Sequence, residues 1–86
     1  MLTLSNHARE QALRRGLPEA IVLAVAQAPE QRLTVRPGRE IRRSRVAIAA
    51  GGTLYLVRIV VDVDAATETV VTVYRTSRIE KYWGRQ

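Results

Sequence analysis

The sequence predicts an α+β domain in which two N-terminal helices pack on a four-stranded antiparallel sheet. Three observations carry this. Up to residue 29 the apolar residues recur at helical spacing; from Arg32 onward they alternate with a period of two; and the connections between the alternating runs are too short for anything but antiparallel neighbours. The chain's 86 residues, 47% hydrophobic, suffice for one modest core, so residues 1–86 are expected to form a single domain.

The first helix is expected over about residues 5 to 15. Ser5 supplies a hydroxyl cap, Glu10, Ala12 and Leu13 follow at helical positions, and Gly16 closes the helix with a residue that tolerates positive φ. Leu17-Pro18-Glu19 restarts the chain, with proline in a first-turn position and an acid favourable against the helix dipole. The second helix then runs over about residues 18 to 28. Because nearly every side of it is apolar, it should be buried by the first helix and the sheet, or contribute to a subunit contact.

Leu33 and Val35 lead into a Pro37-Gly38 turn, Ile41 to Ala50 forms the next strand, Gly51-Gly52 turns the chain, and Leu54 to Val63 follows. Asp62 to Thr67 is small and polar enough to turn again. Glu68 to Arg75, rich in Val and Thr, is the last strand. In Leu54 to Val63, Tyr55, Val57, Ile59 and Val61 share one face and Leu56, Arg58 and Val60 the other, which makes Arg58 an odd arginine in an apolar strand. In the last strand Val71 and Val73 are expected on one face, and Thr72, Tyr74 and Thr76 on the opposite one. Ser77 to Trp83 reads as a final helical turn or an edge strand.

Fourteen Lys+Arg against eight Asp+Glu give a net charge of +6, and thirteen of those fourteen bases are arginine, which grips phosphate and carboxylate in two-pronged fashion. The expected partner is therefore anionic. Nucleic acid comes first, and an acidic protein or membrane surface stays open on charge alone. With no cysteine and a single histidine, the chain offers no disulfide, no thiolate nucleophile and little for a metal, and no cofactor is expected. The absence of a basic leader followed by a long apolar run leads to the expectation of a cytoplasmic protein with no membrane partner.

The one histidine, His7, lies in Ser5-Asn6-His7-Ala8-Arg9-Glu10. It suits a proton carrier beside a phosphate held by guanidinium groups, and equally a side chain that only hydrogen-bonds at the helix start or packs on the sheet. Arg42, Arg43 and Arg45 read as a solvated strand edge that discourages edge-to-edge pairing.

Together, Ser5-Asn-His7-Ala8-Arg9, Arg15-Gly16-Leu17, the helix ending near Pro29, Gly38-Arg39, and Val71-Thr72-Val73-Tyr74-Arg75-Thr76 followed by Lys81-Tyr82-Trp83 resemble the small bacterial domain-of-unknown-function family numbered 4258. The resemblance spans nearly the whole chain. It implies the RelE/barnase-like ribonuclease fold, many of whose members are metal-independent RNA-cutting toxins. On that implication, His7, Arg58, Thr72 and Tyr74 form the expected catalytic set, with Arg45, Arg75, Lys81, Tyr82 and Trp83 for phosphate and RNA binding. Of these, His7, Thr72 and Tyr74 match the motifs directly; the arginines are chosen by strand position. Metal-free cleavage asks for a base, cations on the phosphate and an acid, and an imidazole with an ordinary pKa of about 6.5 can be base or acid.

Each choice has a plainer counterpart. Thr72 also suits a strand for its β-propensity, Tyr74 suits a packed amphipathic ring, and Tyr82 with Trp83 suits a tail clamp over the core as well as a stack for bases. The expected function is thus a metal-independent endoribonuclease or RNA-binding toxin component. The alternative is a catalytically silent basic module that binds an acidic protein, such as a cognate antitoxin, an immunity protein or a host factor, and the apolar second helix would also suit a homodimer. A double-stranded DNA reader is the weakest reading, with only Arg9, Arg14 and Arg15 to form a row on a helix.

Overall fold

Hydrogen bonding and burial explain where each element begins and ends. The computed structural model describes residues 1–48 and 51–83. After a short strand β1, Leu2–Leu4, Ser5 takes an extended conformation and its hydroxyl accepts a 3.0 Å hydrogen bond from the Ala8 amide, which starts helix α1 at Asn6–Arg14. Gly16, at φ 65°, ends it. The Leu17 amide donates to the Ala12 carbonyl and the Gly16 amide to the Leu13 carbonyl, so two otherwise orphaned carbonyls are satisfied in a Schellman closure. Pro18 then caps α2, Glu19–Gln27, and Arg9 of α1 pairs with Glu19 at 3.0 Å to tie the two helices together.

Strands β2 (Gln31–Arg36), β3 (Arg39–Ile48), β4 (Thr53–Val63) and β5 (Glu68–Thr76) follow, and a final turn of helix, α3, spans Ile79–Tyr82. The sheet order is β1-β5-β4-β3-β2. The architecture is α+β, and the sheet is mixed: β2 to β5 are antiparallel, while β1 lies parallel to β5, with Leu2 opposite Glu68 and Leu4 opposite Val70. The fifth strand and the third helix correct the expected plan of two helices on four antiparallel strands. A three-residue strand leaves no periodicity to read, and its partner lies 66 positions down the chain. The tail resolves as a helical turn; Ala49 and Ala50, included in the expected third strand, lie outside the described residues.

Both helices cover one face of the sheet. Ala8 and Ala12, one turn apart on α1, let its backbone approach closely, and Val22, Val25 and Ala26 of α2 meet Val57, Ile59 and Val61 of β4 and Val70 and Val73 of β5 in one core. That Val70 and Val73 are both buried departs from strict alternation. The register shifts between Val60 and Val61, so Val71 is the extra residue of a β-bulge, and it does not share the face of Val73 as expected.

Arg42 and Arg43 are the second correction. β3 is an interior strand, and Arg42 and Arg43 are 1% and 2% exposed, not part of a solvated edge, while Arg45 is exposed as expected. Arg42 sits among the core residues with its charge fully answered: it donates to Glu40 (3.0 Å), to both oxygens of Glu68 (3.1 and 2.8 Å) and to the Ala26 carbonyl (2.9 Å). A buried guanidinium is tolerable only with such a set of partners.

Candidate functional site: a cationic rim from the first helix to the uncovered sheet face

His7, Gln11 and Arg14 recur at i, i+4 and i+7 along α1, a stripe beside the buried Ala8–Ala12 stripe. With Arg15 they line an open pocket of about 280 Å³. Gln11 anchors this stripe to β5, because its side-chain oxygen accepts a 3.0 Å hydrogen bond from the Val73 amide. That amide points outward past the end of β1, which pairs with β5 only as far as Val70. His7 is exposed, so its imidazole opens on the pocket and is not tucked into the core.

From this pocket Arg15 reaches round the strand edge and lies over the ring of Tyr74, 5.0 Å from its centroid. Tyr74 is registered directly against Arg58 on β4, and Arg58 against Arg43 on β3. The sheet face away from the helices therefore carries the row Gln31, Arg43, Arg58, Tyr74, next to a half-buried, mostly apolar row of Leu33, Ile41, Val60 and Thr72. Part of this face is roofed by the C-terminal segment. Tyr82 lies on Arg58 at 4.6 Å and Trp83 on Arg45 at 4.3 Å and Arg43 at 6.0 Å, and Leu56 between them is fully buried although it lies outside the helix-side core. Both aromatic rings are half-buried, in the clamping position that formed one of their two readings.

The expected catalytic set is thus divided. His7 lines the α1 pocket; Arg58 does not, and Tyr74 joins the two regions through Arg15. Thr72 lies opposite Val60, one row away from Arg58. Among the expected binding residues, Arg75 lies on the helix side, 4.5 Å over Tyr55 and close to Gly16 at the end of α1. Arg45 is engaged by Glu30, and Lys81 is exposed beside Tyr82. The pocket residues Gln11, Arg14 and Arg15 were not among the expected site residues, although their spacing from His7 placed them on its helix face.

Electrostatics separate the same two regions. Five of the eight carboxylates are held by arginines: Glu19 by Arg9, Glu30 by Arg45, Glu40 by Arg32 and Arg42, Asp62 by Arg39, and Glu68 by Arg42. Hydrogen bonds from their arginines hold the Glu30, Asp62 and Glu68 carboxyls below the usual carboxylate range. Asp64 is likewise lowered, by the Ala66 and Thr67 amides it accepts from in its turn. Among the described residues, Arg14, Arg15, Arg36, Arg58, Arg75, Arg78 and Lys81 form no ion pair with a carboxylate: Arg14 and Arg15 at the end of α1, Arg36 at the end of β2, Arg58 on β4, Arg75 on β5, and Arg78 and Lys81 in the C-terminal segment. The described residues include no group of three or more potential metal ligands and no helix long and apolar enough to cross a membrane.

Comparison with family models, with curated proteins and with solved structures found no match for this chain.

Proposed function

We propose that this protein is an RNA-binding domain of the metal-independent ribonuclease type, RelE-like in general plan, whose α1 pocket seats a backbone phosphate. The observation that carries the reading is the meeting of the only histidine with Arg14 and Arg15 around one open pocket, neither arginine being paired with a carboxylate. Two guanidinium groups there favour the phosphate and, more strongly, the extra negative charge of its pentacoordinate state. His7 takes the proton of the ribose 2′-hydroxyl as its oxygen attacks phosphorus. The bond from phosphorus to the 5′-oxygen breaks, that oxygen takes a proton from water, and a 2′,3′-cyclic phosphate is left.

Tyr74 holds Arg15 in place through its ring. The test is digestion of single-stranded RNA in excess EDTA by the protein and by His7→Ala, with analysis of the ends produced. Cleavage to cyclic phosphate ends that disappears in the variant supports the reading. RNA binding without cleavage would reduce it to a binding domain, and absence of both would turn attention to an acidic protein such as an antitoxin as the partner.

A further inference from the structure

Among the described residues, Arg58 Nε is the one buried side-chain donor without an acceptor: it is sealed from solvent and makes no hydrogen bond. A buried donor left unmade costs more than an ordinary hydrogen bond gains, so such a group calls for a partner. No carboxylate supplies it. Asp62, on the same face of β4, is held by Arg39, and Glu30, next to Gln31, is held by Arg45. Arg43, cross-strand from Arg58, is 2% exposed and gives its Nε proton to Gln31 at 2.6 Å. Burial, and then the charge of Arg58, push its guanidinium below the usual range. Tyr82 covers Arg58 from one side and Tyr74 flanks it from the next strand.

We propose that Arg58, Tyr74 and Tyr82 form the seat of a phosphate group on the sheet face away from His7, reached when the Tyr82–Trp83 segment lifts, so that filling it changes how that segment sits on the sheet. A tetrahedral oxyanion presents several acceptors, enough to take the Arg58 Nε proton. Tyr82 sits on the guanidinium that would hold the anion, so occupancy and the seating of the tail are coupled. The site stands independently of cleavage at His7, and the phosphate can come from a free ion or from a nucleic acid.

Trp83 is the only tryptophan of the 86 residues, which makes its emission a direct reporter. Sodium phosphate is titrated against sodium chloride at matched ionic strength, with melting temperature followed in parallel. Phosphate should shift the Trp83 emission and raise the melting temperature where chloride does neither. Arg58→Lys should weaken the midpoint about tenfold, since an ammonium cannot reproduce the planar fork. Arg58→Met should abolish the Trp83 emission response, any rise in melting temperature from phosphate in the α1 pocket remaining, while melting no lower than the wild type in the absence of phosphate, because it removes the unmade donor. Competition by oligoribonucleotides with and without a 5′-phosphate then separates a terminal phosphate, a backbone phosphate and the free ion as sources. His7→Ala, which removes the proposed cleavage, should keep the phosphate response, so the two readings fail separately. An equal response to chloride, or an unchanged phosphate midpoint in Arg58→Met, would overturn the proposal.

Discussion

Gln11 and Val73 are joined by a 3.0 Å hydrogen bond in which a side chain of α1 accepts the outward amide of β5. The contact fills the place a continuation of β1 would take, blunts an otherwise open stretch of β5, and sets the distance between the His7 stripe and the sheet.

Gln11→Ala should therefore lower stability by about 1 kcal/mol, the usual net worth of such a bond, and weaken RNA binding as well, because the pocket loses its anchor. Urea unfolding reads the first effect and filter binding the second. Unchanged stability would show that water replaces the side chain without loss.

Arg14→Ala and Arg15→Ala should each weaken single-stranded RNA binding uniformly across sequences. Each should also lower the slope of log affinity against log salt by about 0.7, the value expected for one phosphate contact on a single strand. Glu10→Gln, on the same helix but outside the pocket lining, should leave the slope as it is. Affinity measured at four or five salt concentrations decides this.

Stability should decline as the solution is acidified. Glu68, Asp62 and Glu30 titrate lower in the folded protein than in the unfolded chain, above all through hydrogen bonds from Arg42, Arg39 and Arg45. Their contribution is thus fully present above the unfolded values of about 4.3 for Glu and about 3.9 for Asp, and is lost as pH falls through the lower folded values. Arg42→Met should flatten this acid limb by removing the Glu68 partner. Denaturant midpoints between pH 7 and pH 3 are the measurement, and an identical acid limb in the variant would refute the assignment.

Leu56→Ala should cost about 3 kcal/mol and shift the Trp83 emission toward the red, because Leu56 is fully buried on the face that the tail roofs. Loss of stability with no spectral change would mean that the tail does not depend on this side chain.

Much of the fold could be read from local pattern, since Ser5, Gly16, Pro18 and the paired turn residues punctuate the chain as their chemistry dictates. What escaped reading was non-local. The pairing of Leu2–Leu4 with Glu68–Val70 has no local signature, and the burial of Arg42 depends on Glu68, 26 positions away. The bulge at Val71 displaced one face of β5 for a similar reason, because an extra residue is visible only against its partner strand. At the candidate site, the oddity of Arg58 was plain from strand alternation. Its separation from the His7 pocket depended on which sheet face α1 covers, and no periodicity states that.

The parallel pairing of β1 with β5 also orders events in time. β2, β3, β4 and β5 are joined by successive hairpins whose strands meet after short loops, whereas β1 closes a loop from residue 2 to residue 68. Closing the longer loop has the greater entropic cost, and its three residue pairs give little in return. The meander with α2 is thus expected to assemble first, and β1 with the helix it leads into to dock last and open first. Amide hydrogen exchange should show this as faster exchange in Asn6–Arg14 than in the middle of β4. His7 would then ride on the most readily released unit of the domain, able to leave the sheet and return without unfolding the rest.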